Sequence, residues 1–441
     1  MEKYIVFDPK LTKPDRIVLE TLTSDIERFS NSTKSDRAEA DNENNTAGQI
    51  VSCEKTQYAS AISKLDALNN PKHPDFEPTV FTEHDYDRIE WNTSIGRHVL
   101  RPYLRLAQYV VRHESDVVML THLLLYFSTS VPSALILYLW RFTWIHAVLH
   151  FIMQVSYMGT YTLMMHQHIH MRGILSTQFA IFDHLFPYIT DPLMGHTWNS
   201  YYYHHVKHHH VEGNGPDDLS STIRYQRDNI FHFLHYVGRF FFLIWFDLPC
   251  YFLRKQKPGF AAKAAFWEIG NYTALASLYA WQPKPTLFVF LLPLLLLRIG
   301  LMIGNWGQHA FVDTHEPDSD YRSSITLIDV PSNRYSYNDG YHTSHHLNPQ
   351  RHWRDHPNAF IKGKWKYAAN GALVFHNIDY IMITLRLLMK DYAHLAKCMV
   401  PIGMEQLAMS LADRVLLLKA HTQRFSEQEI KDKFKNPDHI Y

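Results

Sequence analysis

Long apolar segments alternate with polar, histidine-bearing stretches through the middle of the chain. Residues 117–139 and 142–164 contain no aspartate, glutamate, lysine or arginine. Each is long enough to cross roughly 30 Å of hydrocarbon as a helix. The short break at 140–141 predicts one helical hairpin, and the apolar segments 264–281 and 285–304 predict a second. The pattern therefore predicts about four transmembrane helices.

The segment 229–253 is also apolar, but it contains His232, His235, Arg239 and Asp247. Charged groups are unfavourable at the centre of a bilayer. We therefore expect this segment to lie in the membrane interface. A crossing here would also place the histidines before and after it on opposite sides of the membrane.

Basic residues are sparse in the two hairpin turns and frequent at the opposite ends of the apolar segments. The positive-inside rule then places the histidine-bearing face in the cytosol. The basic residues on that face are Arg101, Arg105, Arg112, Arg172, Lys207, Arg254, Lys255 and Lys257.

The chain ends differ from this central part. We expect a polar, partly disordered N-terminal region at 1–98, because the tract 31–49 cannot bury much apolar surface. A membrane domain follows at 99–400, and 401–441 has the spacing of an amphipathic helical tail. The predicted fold is all-α: a multi-pass helical membrane bundle with a cytosolic helical cap.

Composition excludes several functional classes. Lysine plus arginine and aspartate plus glutamate both total 43, so a nucleic-acid partner bound through a basic surface is not expected. The three cysteines, Cys53, Cys250 and Cys398, are too few and too far apart for a disulfide framework or a cysteine zinc site. Histidine is different, because the chain has 30 of them and several groups lie next to the predicted membrane helices.

Three histidine clusters and one further element have spacings that bring their side chains onto one helix face, where residues three or four apart are neighbours. They are His166 with His170; His205 with His208 and His209; His309, which follows Asn305 by four residues; and His342 with His345 and His346. In the group around His205, two further histidines, His204 and His210, leave the register open. The alternatives are 204/208/209 and 205/209/210.

The clusters indicate metal binding, because burying so many unpaired imidazoles would be unfavourable. Imidazole suits iron, copper, zinc and nickel. Eight or nine imidazoles exceed the coordination number of a single ion, so the sequence predicts two metal ions.

In these residues the chain resembles the membrane fatty acid desaturase superfamily, whose histidine boxes HxxxH, HxxHH and HxxHH surround a di-iron centre. The resemblance covers about residues 115–360. It implies two iron ions, with dioxygen as co-substrate. The metal ligands it implies are His166, His170, His205, His208, His209, His309, His342, His345 and His346. Asn305, His204 and His210 are water-mediated or alternate ligands.

Residues next to the boxes are candidates for positioning the ligands. Metal-bound histidines commonly donate their second N–H to a carboxylate or carbonyl. Glu212, Asp217, Asp339 and Asp355 are the carboxylates predicted to take this role. Loop charges or helix caps explain any one of them about equally well.

The resemblance also implies partners and a location. The chain lacks an HPGG heme-binding signature, so we expect a separate electron donor, a b-type cytochrome or a ferredoxin. The expected substrate is a lipid acyl chain in the membrane. The expected location is the endoplasmic reticulum, with a bacterial or plastid membrane left open.

Four functions fit the pattern to different degrees. Removing two hydrogens from an unactivated alkyl chain requires a metal-based oxidant, so an acyl-lipid desaturase is the first. A membrane di-iron hydroxylase of lipids or alkanes is the closest alternative, because the same site serves both reactions. A zinc-binding membrane hydrolase or receptor and a bis-histidine heme protein are the others.

Overall fold

The computed structural model describes residues 5–35, 46–328 and 335–434, and within 30–57 it describes only the backbone. The chain divides into two compact units. The first is Met1–Glu77 with Gln308–Gln423, and the second is Pro78–Gly307 with Arg424–Tyr441.

Helices make up most of both units, which confirms the all-α prediction. The α-helices are α1 Lys13–Ser35, α2 Thr46–Asn69, α3 Arg101–Val110, α4 Val117–Leu135, α5 Trp144–Met171, α6 Ala180–Leu185, α7 Pro187–Leu193, α8 His210–Glu212, α9 Ile230–Arg254, α10 Pro258–Trp281, α11 Pro283–Thr286, α12 Leu292–Gln308, α13 Asp320–Ser323, α14 His342–Leu347, α15 His356–Ala369, α16 Tyr380–Leu388, α17 Tyr392–Cys398, α18 Met404–Ala408, α19 Leu411–Ala420 and α20 Glu427–Lys433. The π-helical segments are Gly96–Leu100, Ile136–Trp140, Tyr202–His209 and Leu287–Leu291, and the short 3-10 helices are Tyr86–Arg88, Thr177–Phe179 and Trp353–Asp355.

The first predicted hairpin is present in the second unit. Helix α4 continues through the π-helical segment Ile136–Trp140 and α5 begins at Trp144, so the turn lies where the sequence placed it. Thr143 caps α5, because its hydroxyl accepts a hydrogen bond from the backbone N–H of His146. Polar side chains inside the hairpin bind each other, as where Ser130 Oγ donates to Gln154 Oε1 at 2.7 Å. Hydrogen bonding of this kind allows polar residues to lie within an apolar bundle.

Among the described residues, three helical stretches are long and apolar enough to cross a membrane, namely Val117–Trp140, Ile230–Arg254 and Pro283–Gln308. The second of these is the stretch that we expected to lie in the interface. On this helix the side chains of Arg239 and Asp247 form an ion pair, with Nη2 3.4 Å from Oδ2, so their opposite charges offset each other. Helices α5 and α10 are not among the three. The predicted number of about four spans therefore stays a prediction.

The first unit is built around a small parallel sheet. Strand β1, Ile325–Ile328, pairs with β2, Leu373–His376, and Ile325 lies opposite Leu373. Helices α1 and α2 pack with α15 and this sheet through buried apolar side chains, including Val18, Leu22 and Phe360.

The divisions at 1–98, 99–400 and 401–441 stay predictions. The middle of the polar tract, residues 36–45, lies outside the described residues. Helices α1 and α2 occupy its two flanks.

Candidate metal centre

The first histidine pair lies at the end of α5. His166 and His170 are both buried, and their ring centroids are 4.8 Å apart, as expected for residues one helical turn apart. His168, between them, instead places Nε2 3.1 Å from the backbone oxygen of Asp183. The α-helix therefore places the rings of His166 and His170 on one face and the ring of His168 on another, next to the backbone of Asp183.

The second histidine box lies in a π-helix, Tyr202–His209. A π-helix bonds residue i to residue i+5, so its turn is wider than that of an α-helix. Positions four and five residues apart then share one face. This brings His205 together with His209 and His210, whereas α-helical spacing predicted His205 with His208 and His209. The ring centroid of His205 lies 5.5 Å from that of His209 and 4.6 Å from that of His210.

Four histidines of the second unit form what we call the first histidine cluster: His166, His170, His205 and His210. One ring nitrogen from each lies within 4.8 Å of those from the others. The Nε2 atoms of His205 and His210 are 3.1 Å apart. Burial lowers the pKa of His205 well below its ordinary value, and the adjacent His210 and His166 lower it further. The ring is therefore neutral, which is the form that binds a metal.

His208 and His204 point to other partners. The backbone N–H of Leu219 donates to His208 Nε2 at 3.0 Å, which occupies that lone pair. The His208 ring also lies edge-on to Tyr251, with centroids 4.5 Å apart. The His204 ring packs on Phe240, with centroids 5.1 Å apart.

His209 is oriented by a carboxylate that the sequence analysis missed. Its Nδ1–H donates to Asp218 Oδ2 at 2.7 Å, so the free lone pair of the ring is on Nε2. Asp218 is buried and also accepts from the backbone N–H groups of Asn214 and Ser220. Burial raises its pKa, but His209 and His208 outweigh burial and lower the pKa below its ordinary value. Asp218 is therefore an ionised, fixed acceptor.

Three histidines of the first unit form what we call the second histidine cluster: His309, His342 and His346. The Nε2 atom of His342 lies 3.4 Å from that of His309 and 3.0 Å from that of His346. All three rings are buried. His309 Nδ1–H donates to the backbone oxygen of Ser323 at 2.7 Å, so its lone pair is on Nε2. This carbonyl is a second orienting group that the sequence analysis did not name.

His345 occupies a different side of α14. Its ring centroid is 6.1 Å from that of His342 and 6.2 Å from that of His346. The neighbouring Ser344 is buried, and its hydroxyl accepts from Arg351 Nη1 at 2.6 Å. His356 Nδ1 lies 3.0 Å from the same hydroxyl. These contacts anchor the short helix that carries the third histidine box.

The predicted orienting carboxylates make other contacts. Glu212 accepts from Tyr251 Oη at 2.6 Å and lies 3.1 Å from Lys255 Nζ, while Asp217 lies 2.7 Å from the same nitrogen. Asp339 accepts from Gln308 Nε2 at 3.1 Å, and Asp355 accepts from Asn69 Nδ2 at 3.3 Å. A further carboxylate, Asp320, lies 4.0 Å from His346 Nδ1.

Asn305 links two elements next to the second box. Its Nδ2 donates to the backbone oxygen of Ser220 at 2.9 Å and to Tyr236 Oη at 2.7 Å. These contacts connect α12 with α9 and with the loop that carries Asp218. A water-mediated role for Asn305 in metal binding stays a prediction.

The donor atoms in both clusters fit a metal ion. Since His309 carries its proton on Nδ1, its Nε2 presents a lone pair to His342 Nε2. Buried lone pairs this close repel each other unless a proton or a cation lies among them. Imidazole nitrogens suit iron, copper, zinc and nickel. Each unit thus contributes one group of side chains that can hold a cation.

A family model described as fatty acid desaturase matches residues 142–377, more than half of the 441-residue chain. The matched range contains every histidine of both clusters. Comparisons with curated proteins and with solved structures find no match.

Proposed function

Since the chain belongs to the fatty acid desaturase family, we propose that it is a membrane-bound, di-iron, dioxygen-dependent desaturase that introduces a double bond into the alkyl chain of a lipid. Family membership makes it a fatty-acid-modifying oxidoreductase of the desaturase and hydroxylase type. The apolar helices and the family together indicate a membrane protein. The observation that carries the proposal is the pair of histidine clusters within the matched range, in which every ring is buried or half-buried.

The proposed ligands are close to those predicted from the sequence. The structure supports His210 in place of His208, because His208 Nε2 accepts a backbone hydrogen bond whereas His210 lies in the first histidine cluster. The proposed ligands are then His166, His170, His205, His209, His210, His309, His342, His345 and His346. If bound there and reduced by an external donor, two irons would activate dioxygen, which is the oxidant that removal of two alkyl hydrogens requires.

The protein itself contributes fixed orientation and exclusion of water. Asp218 and the backbone oxygen of Ser323 hold the Nδ1 protons of His209 and His309, which leaves both Nε2 atoms as ligands. His309 is completely buried, and His209 and His342 are nearly so. A dry site protects a strong oxidant from side reactions with water.

The remaining parts of the proposal rest on the resemblance and on the charge distribution. Electrons come from a separate b-type cytochrome or ferredoxin. The histidine-bearing face is cytosolic, and the membrane is that of the endoplasmic reticulum.

Lipid profiling of expressing cells tests the reaction. The control is a His345→Ala variant that accumulates in membranes to the same level. We expect a lipid lacking two hydrogens, present only with the unmodified chain. A lipid that has instead gained one oxygen atom would replace the desaturase with the hydroxylase, and identical profiles would refute both.

A further inference from the structure

The helical stretch before the first membrane span exposes apolar side chains along one side. Ile95, Val99, Leu106 and Tyr109 are 66%, 57%, 62% and 58% exposed. They lie four, seven and three residues apart, and side chains at such spacings share one helix face. The stretch comprises Ile95, the π-helical segment Gly96–Leu100 and α3, and we call it the pre-span helix.

The exposed apolar side chains do not contribute to the core of the protein. The opposite side of the pre-span helix supplies Leu104 and Ala107, which are buried against Val80 and Val117. Packing of the helix therefore leaves a second apolar face uncovered. Four large apolar side chains exposed on one helix face indicate an interaction surface.

A row of arginines lies beside that face. Arg97, Arg101 and Arg105 follow one another at intervals of four residues, and all three are exposed. Within the described part of the chain, none of the three forms an ion pair. Three guanidinium groups in a row match the phosphates of anionic lipids, which arginine can bind bidentately.

The position of the pre-span helix in the chain indicates what covers it. Helix α3 ends at Val110, and the candidate membrane span begins at Val117. The short connection holds the helix near the end of a span, where headgroups and acyl chains meet. Helices in that layer combine a cationic face with a bulky apolar face. Two copies of the same arginine row would instead repel each other if they faced one another.

We propose that the pre-span helix lies in the membrane interface, with its apolar face among the acyl chains and with Arg97, Arg101 and Arg105 bound to anionic phospholipid headgroups. The chain thereby acquires a lipid-binding site that is separate from its histidine clusters. The proposal rests on the neighbouring helix being a membrane span and does not depend on the reaction.

Lipid retention tests the arginine row. The full chain is reconstituted in phosphatidylcholine nanodiscs containing a small fraction of phosphatidylglycerol, and the anionic lipid that remains after detergent extraction is counted by mass spectrometry. Each interfacial arginine contributes roughly fivefold to binding, so the R97Q/R101Q/R105Q variant should lose up to about a hundredfold at low salt. The loss should shrink as salt increases. Arg424→Gln, an exposed arginine outside this helix, is the matched control.

Equal retention by the triple variant and the unmodified chain would overturn the proposal. An equal loss in the Arg424→Gln control would also overturn it, because the effect would then reflect net charge alone.

Depth measurement tests the apolar face independently. A nitroxide is attached to a Leu106→Cys variant of a cysteine-free chain, and a second preparation carries it at Gln428→Cys, an exposed position in the tail. We expect position 106 to be accessible to oxygen and shielded from a water-soluble nickel reagent, with the reverse at position 428. Access of nickel to position 106 would overturn the proposal. Shielding from both reagents, with dipolar broadening between labels, would overturn it in favour of a second copy.

Discussion

Replacing Asp218 with asparagine removes the acceptor that orients His209. In the structure Asp218 Oδ2 accepts from His209 Nδ1–H at 2.7 Å and from the backbone N–H of Asn214 at 3.2 Å. Asp218 Oδ1 accepts from the backbone N–H and the hydroxyl of Ser220, both at 2.8 Å. Asparagine has only one acceptor oxygen. Its NH2 group would therefore face either the Ser220 donors or the His209 and Asn214 donors, and could not accept from them.

The consequence for the metal follows from the tautomer of His209. If the asparagine oxygen continues to accept from Ser220, the asparagine NH2 group faces His209 Nδ1. His209 Nδ1–H then has no acceptor, so the tautomer with the proton on Nε2 becomes favoured. The ring then no longer offers the Nε2 lone pair. Loss of such an orienting partner typically lowers metal affinity about 10- to 100-fold, or about 1.4–2.7 kcal/mol.

The neighbouring Asp217→Asn variant is the matched control. Its carboxylate lies 2.7 Å from Lys255 Nζ, on a partly exposed lysine. Iron affinity is measured by competition with a graded chelator, and the protein is checked for membrane insertion. We expect Asp218→Asn to release iron at a lower chelator concentration than the unmodified chain, and Asp217→Asn to release it at the same concentration as the unmodified chain. Unchanged affinity in Asp218→Asn, or an equal fall in both variants, would refute this reasoning.

Three further variants test other parts of the site and its support. His210→Ala should reduce bound iron more than His208→Ala, because only His210 lies in the first histidine cluster; the opposite order of iron contents would restore the α-helical register. Arg298→Met should destabilise the protein by about 3–5 kcal/mol, because it leaves the buried Glu268 without its ion-pair partner. Adding Glu268→Gln to that variant should recover much of the lost thermal stability, and no recovery would contradict the pairing. Ser344→Ala should lower the free energy of unfolding by about 1.5–3 kcal/mol, because the hydroxyl accepts from a charged guanidinium, and an unchanged melting temperature would contradict this.

The first histidine pair converges as its spacing predicted. His166 and His170 lie on an ordinary α-helix, so their spacing alone placed the rings together. The second box lies in a π-helix, and spacing alone does not reveal the wider turn. For this reason the sequence could not decide whether His208 or His210 joins His205.

The orienting groups were harder to predict, because they depend on tertiary contacts. Asp217 and Asp218 are adjacent in one loop, and composition does not distinguish them. The fold turns one carboxylate toward Lys255 and the other toward His209. The partner of His309 is a backbone oxygen, which every residue possesses, so no sequence signal marks it.

Membrane helices were predicted where hydropathy is uniform, as in α4 and α12. The interfacial interpretation of α9 relied on the placement of the histidines on one side of the membrane and on the charges of Arg239 and Asp247, each considered alone. These residues lie eight positions apart in the chain, and their proximity becomes visible only in the folded helix. Side-chain pairing therefore changes what a charged residue implies about a span.

Metal content of the purified full chain tests the central claim most directly. Mass spectrometry of detergent-purified protein should find about two irons per chain, one for each histidine cluster. Absorption spectroscopy of the same sample should show no Soret band. About one zinc per chain, or iron accompanied by a Soret band, would contradict the di-iron account.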